Sequence, residues 1–221
     1  MCGRFSLTVS AATLTEAFQL NALPEWTPRY NIAPTQLVAA IVAPSAPSSH
    51  LRLLRWGLVP SWAKDLSIGT KLINARAETV AEKPSFRTAF KQRRCLILAD
   101  GFYEWQRLDH KTKQPYYFQL ASGQPFAFAG LWECWQSDDD VVETCTILTT
   151  QANELLEPIH DRMPVVLAPD EYEPWLDSTT PAESLQRLLH PYDASAMKGY
   201  PVNPIVNSPK HDSPECLQPQ N

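Results

Sequence analysis

The sequence predicts an α+β fold: one mixed domain over residues 1–221, with a curved, mainly antiparallel, barrel-like β core and short helices at its periphery. Three observations carry this. Apolar residues fall in many short runs bounded by turn residues, as strands do, and few stretches show helical spacing. Twenty prolines against seven glycines stiffen the connections and oppose long helices. Hydrophobic residues make up 44% of the chain, enough for a proper core, and neither a repeat nor a linker divides it.

In chain order, residues 4–8 read as a strand. A helix follows over residues 10–20, with Leu14, Ala17 and Phe18 at helical spacing and Thr13 and Thr15 outward. Pro24 and Pro28 end that pattern. Residues 30–34 read as a loop into a strand at 37–42, joined by a polar hairpin connection at 44–49 to a partner strand at 51–56. Residues 57–65 are a loop. Residues 73–76 lead into a short helix, and 86–90 form another helical turn. Residues 95–99 read as a buried strand that feeds a turn at 100–105. Strands at 116–120 and 126–132 join through a turn at Ser122-Gly123, and 145–149 is another strand. Residues 153–156 look helical, and 159–164 form a loop that enters a strand at 165–167. Thr180-Pro181-Ala182-Glu183 fits a capping box that opens a helix to about Leu189. A last strand is expected at 200–206 and a loose tail over about 215–221.

Charge and cysteine usage narrow the function classes. The net charge is -5, so the chain lacks the global basic footprint of a non-specific DNA binder; nucleic acid would have to meet a local groove. The five cysteines, Cys2, Cys95, Cys134, Cys145 and Cys216, are scattered and contain no CxxC pair. That gives neither a disulfide framework nor a zinc spacing, and no metal or cofactor is expected. Cys95 and Cys145 sit in apolar runs and read as core residues. Residues 1–25 lack a signal-peptide pattern and no apolar run approaches the ~18 residues of a membrane span, so a soluble cytoplasmic chain is expected.

The chemistry-bearing residues start at the N-terminus. If Met1 is removed, Cys2 carries an amine and a thiol on adjacent carbons, titrating ordinarily near ~8 and ~8.5. That pair condenses with an aldehyde: the amine forms an imine and the thiol closes onto its carbon as a thiazolidine. A cysteine in this position is also compatible with an incidental role. Asn74 offers donors and an acceptor in one plane and Arg76 a phosphate-matching fork; a helix cap with surface charge fits them too. Glu104 lies between Tyr103 and Trp105, where desolvation would raise its pKa toward that of a general acid/base; the solvent face of a strand is the alternative. His160 follows Ile159 and shares a loop with Asp161 and Arg162, whereas His50, His110, His190 and His211 lie in polar stretches. Trp56 reads as core, and Trp62, beside Ser61 and Lys64, as a surface ring for an unstacked base.

Taken together, these segments resemble the SRAP family, the SOS response-associated peptidases. The matching pieces are Met1-Cys2-Gly3-Arg4-Phe5, Tyr30-Asn31-Ile32-Ala33-Pro34, Trp56-Gly57-Leu58-Val59-Pro60-Ser61-Trp62 and Asn74-Ala75-Arg76-Ala77-Glu78-Thr79. Ala99-Asp100-Gly101-Phe102-Tyr103-Glu104-Trp105, Thr150-Gln151-Ala152-Asn153 and Ile159-His160-Asp161-Arg162-Met163-Pro164 complete the series, which covers most of the chain. Leu98 and Asn203 depart from the family's usual proline and serine.

The resemblance implies a sensor of abasic sites in single-stranded DNA that crosslinks through Cys2 to the ring-opened sugar aldehyde. It also implies self-cleavage after Met1, although the small Cys2 side chain permits removal by an aminopeptidase equally, and an associated lyase step. It casts Cys2 as nucleophile, Asn74 as the group orienting the sugar, Glu104 as acid/base and His160 as the proton shuttle that helps open the sugar. Arg4, Arg76 and Arg162 would meet phosphates. The partner would be abasic single-stranded DNA, bound by a cytoplasmic, nucleoid-associated monomer. The alternative chemistry for the same residues is an N-terminal-nucleophile cysteine peptidase or amidohydrolase, with a non-catalytic single-strand binder as the third reading.

Overall fold

Five strands close into a ring at the centre of the molecule. They are β3 (Leu37–Val42), β4 (His50–Trp56), β10 (Val141–Gln151), β9 (Phe126–Gln136) and β6 (Arg94–Ala99). β3 pairs antiparallel with β4 and β6, β6 with β9, and β9 with β10; β10 closes the ring by running parallel to β4, while the short strands β11 (Arg162–Pro164) and β12 (Val166–Leu167) pair antiparallel with β10 and β9. The barrel-like core anticipated above is therefore present. This computed structural model describes residues 2–20, 26–42, 50–109, 112–138 and 140–220.

A second, five-stranded antiparallel sheet packs beside the ring in the order β13 (Met197–Pro201), β8 (Lys113–Leu120), β7 (Gly101–Arg107), β1 (Phe5–Leu7), β2 (Arg29–Ile32). Phe5 on β1 joins the two layers, with its ring 5.2 Å from Trp56 and 5.6 Å from Phe128. Large apolar side chains buried on both sides of such a junction each contribute roughly 2–3 kcal/mol. The helices are short and peripheral: α1 (Ala11–Phe18), α2 (Arg87–Gln92), α3 (Tyr172–Leu176) and α4 (Ala182–Arg187). No described helix is long and apolar enough to cross a membrane.

The element that matters most for the site departs from its sequence pattern. Residues 74–76 form a strand, β5 (Asn74–Arg76), parallel to β10, with Asn74 opposite Ile147 and Arg76 opposite Thr149. The free edge of β10 beyond β4 supplies backbone partners that outweigh the helix-start chemistry: Ile147 N donates to Ile73 O at 3.2 Å and Ala77 N to Thr149 O at 2.9 Å. β4 and β5 thus lie end to end along β10, and the chain between them loops out. Gly57 and Gly69 pinch the base of that loop. Gly57 has φ +127, and a Cβ there would sit 2.7 Å from Gly69 O.

Other expectations are corrected as follows. Residues 30–34 begin as β2 instead of a loop, because Ile32 and Arg29 pair with β1. Residues 100–105 are strand after a single bend at Asp100, since Phe102 pairs with Phe118 on β8. Residues 153–156 make turns, with Asn153 Oδ1 accepting from Leu156 N at 3.1 Å. The capping box is not formed: Thr180 Oγ1 donates to Pro174 O at 2.8 Å, and α4 follows Pro181 without a side-chain cap. β13 ends at Pro201, and Asn203 caps a 3-10 turn by accepting from Ile205 N at 2.9 Å. Residues 215–220 are not loose. They carry a 3-10 turn, a buried Cys216 and a bond from Gln220 N to Pro201 O of 2.9 Å. The connection at 44–49 lies outside the described residues.

Candidate active site

Cys2 is placed by what holds β1. Asp100, at the bend between β6 and β7, accepts from Ser6 Oγ at 2.6 Å, Thr8 Oγ1 at 2.7 Å, Val9 N at 3.0 Å and Thr8 N. Tyr117 hydroxyl meets Ser6 Oγ at 2.8 Å, and only glycine fits at 101, where a Cβ would strike that hydroxyl at 2.0 Å. This buried polar knot fixes β1 against β7, and Tyr103 N bonds Arg4 O at 3.0 Å one step closer to the N-terminus.

Cys2 is fully buried. Its carbonyl accepts from Asn74 Nδ2 at 2.8 Å, and its thiol makes a long contact of 3.9 Å with Arg4 O. Asn74 Oδ1 is itself buried and has no hydrogen-bond partner among the described residues. Burial pushes the Cys2 thiol well above its ordinary value, and the nearby Glu104 carboxylate pushes it the same way. The thiol is therefore held protonated until a neighbour takes its proton.

Glu104 sits on β7, opposite Tyr116, and is only 2% exposed. Burial raises it to about 7, with the Asp161 carboxylate adding to the effect. The influence of Asp161 ties the 159–164 segment to the same place, as does Gln106 Nε2 donating to Pro158 O at 3.2 Å. His160 is pushed down, mainly by burial. Its Nδ1 lies 3.0 Å from Arg162 N and 3.2 Å from Arg162 O. Asp161 Oδ1, 3.1 Å from Nδ1, pulls the other way but is highly exposed and screened.

The charged residues divide. Arg4 donates from NH1 to Asn31 Oδ1 and to Val206 O, both at 2.7 Å, and lies 5.8 Å from the Trp105 ring. Asn31, fully buried, also bonds the carbonyls of Val206, Ser208 and His211, so the C-terminal segment braces Arg4. Arg162 is engaged by Glu78 and by Thr149 O. Arg76 is exposed. Trp62 is 59% exposed, but it is not brought to Cys2. Its neighbour Ala63 O accepts from Trp135 Nε1, and Trp135 pairs with Val142, five residues and roughly 17 Å along β10 from the partner of Asn74.

A cleft of about 410 Å³ is lined by Arg4, Trp105, Lys113 and Asn207. Trp105 Nε1 donates to Asn207 Oδ1 at 2.7 Å, which fixes the indole at the mouth. Two cations and a flat ring are suited to a polyanion with an aromatic base.

Residues 1–209 match the family described as SOS response associated peptidase (SRAP). The chain belongs to that family. Among SRAP relatives, it is 50% identical to the abasic site processing protein YoqW of Bacillus subtilis, over 99% of each chain. It is 35% identical to the abasic site processing protein HMCES of Gallus gallus, over 99% of this chain and 78% of that one. A solved protein structure from Bacteroides thetaiotaomicron superposes over the whole of both chains with a TM-score of 0.88 at 27% identity.

Several working parts of this SRAP chain were not singled out from its sequence. Asp100 acts through partners more than ninety positions away, and Asn31 bridges Arg4, 27 positions away, to carbonyls at 206–211, so nothing local marks them. Trp105 was noted only as a neighbour of Glu104. Lys113 and Asn207 had no sequence signal, because the cleft is assembled from the residue before β1, from β7 and β8, and from the segment after β13.

Proposed function

We propose that this SRAP protein captures abasic sites in single-stranded DNA as a covalent thiazolidine on Cys2, after loss of Met1. The observation that carries the reading is the junction of Cys2, Asn74 and Glu104. The relatives' names point to the same lesion.

His160 relays the proton of the anomeric hydroxyl to the ring oxygen as the ring C–O bond breaks and the abasic sugar opens to its aldehyde, with no net change in the imidazole. The Cys2 amine adds to the aldehyde carbon, and Glu104, split between its two forms near pH 7, protonates the departing hydroxyl so that water leaves and an imine forms. The Cys2 thiol then adds to the imine carbon while its proton passes through Glu104 to the nitrogen, closing the five-membered ring. Asn74 holds the Cys2 carbonyl and offers its unpartnered Oδ1 to a sugar hydroxyl.

Arg4, Lys113 and Trp105 receive the strand in their cleft, and Arg76 and Arg162 take phosphates on the β5 side. Reversal runs through the same groups, and an imine that instead loses its β-phosphate gives strand cleavage. The peptidase use of this site is attack of the Cys2 thiol on the Met1 carbonyl, which breaks the amide C–N bond and frees the Cys2 amine, followed by hydrolysis of the resulting thioester by water to release Met1. A denaturing gel of the Met1-free protein with single-stranded DNA bearing one abasic site tests the reading. A heat-resistant shifted band is expected; its absence, or full retention in Cys2→Ala, sinks it.

A further inference from the structure

The Arg162 guanidinium is already occupied by an anion. NH1 and NH2 grip the two oxygens of Glu78 at 2.6 and 3.0 Å, and NH2 also donates to Thr149 O at 2.6 Å. A fork that accepts two carboxylate oxygens in this way accepts two phosphate oxygens equally well. The partners are unequal. The Arg162 side chain is 13% exposed and tied to β10, whereas that of Glu78 is 46% exposed and tied by its carboxylate. Arg76, two residues before Glu78 and opposite the same Thr149, places a second cation beside that carboxylate. The carboxylate is thus the exchangeable member of the pair, and it cancels one of two positive charges on this face.

We propose that Glu78 gates the phosphate site at Arg162: it fills the fork in the DNA-free protein and yields it when a backbone phosphate arrives. The inference rests on the DNA-binding reading above and deepens it. A phosphate gains Arg162 only by displacing an ion pair, so reversible binding to intact strand is held weak. Residence then depends on an aldehyde that Cys2 can trap. Glu78 would be a specificity residue acting through Arg162, with no contact to the reacting atoms.

The test is fluorescence anisotropy of the full chain with undamaged single-stranded DNA over a range of salt, for wild type, Glu78→Gln, Arg162→Ala and the double variant. Glu78→Gln is expected to bind about three- to tenfold tighter, with a salt slope steeper by about 0.7. In the Arg162→Ala background the gain should shrink below about twofold. Weaker or unchanged binding by Glu78→Gln would make Glu78 a brace and overturn the gate. A gain that persists in full without Arg162 would reduce it to general charge repulsion and overturn it too. If melting shows that Glu78→Gln does not fold, Glu78→Asp, which withdraws the carboxylate from the fork, must show the same tightening. A wild type that captures abasic DNA but fails these comparisons sinks the gate alone; one that binds no single strand at any salt sinks both readings.

Discussion

Replacing Glu104 by glutamine tests whether the buried carboxyl is tuned for proton transfer. The side chain keeps its shape and loses its charge. Burial lifts Glu104 from an ordinary 4.5 to about 7, so the folded protein holds this proton more tightly than the unfolded chain does. Its contribution to stability is therefore full below about pH 4.5 and is lost as pH rises through about 7. At ~1.4 kcal/mol per pKa unit, the ionised carboxylate costs the fold about 3 kcal/mol above pH ~8. Urea unfolding of wild type and Glu104→Gln at several values between about pH 4 and about pH 9 reads this directly. The two should be nearly equal in acid, and the glutamine variant should gain with rising pH toward that figure. The same variant should slow both capture and its reversal. A stability difference that does not change with pH would mean that Glu104 titrates like a surface glutamate, and the acid/base role would fall with it.

Three further outcomes follow from the geometry. Asp100→Asn loses a charged acceptor for Ser6, Thr8 and Val9 and should cost about 2–4 kcal/mol in denaturant unfolding, with slower capture as β1 loosens. His160→Ala should slow capture of the ring-closed sugar while circular dichroism and melting stay near wild type, since the ring is partly exposed and bonds the Arg162 backbone within its own segment. Trp105→Ala should weaken single-strand binding by about 1–3 kcal/mol in anisotropy titrations, whereas Trp62→Ala should leave it within error.

The parts legible in the sequence were those with local cause. The apolar run Cys95–Ala99 lies within a buried ring strand, and Ser10 caps α1 by accepting from Thr13 N at 3.1 Å. Glu104 between two aromatics was legible as a desolvated acid even though the turn expected around it is strand. The rest depends on distant partners. A three-residue strand such as β5 is too short to show a period, and its identity is decided by the free edge of β10, some seventy residues on. Asn74 reads as a helix cap from its neighbours and becomes a site residue only because that edge aims it at Cys2. Arg4, Arg76 and Arg162 look alike in sequence, yet one is braced by Asn31, one is exposed and one is paired with Glu78.

The central claim is a stable ring formed on Cys2, and intact-mass analysis of the capture reaction tests it most directly. Met1-free protein and abasic single-stranded DNA should give, with no reductant added, a heat-stable adduct whose mass is the sum of the two less one water. Cys2→Ala should give an adduct only when borohydride traps the imine. A stable adduct from Cys2→Ala without reductant, or none from the wild-type protein, would contradict the account.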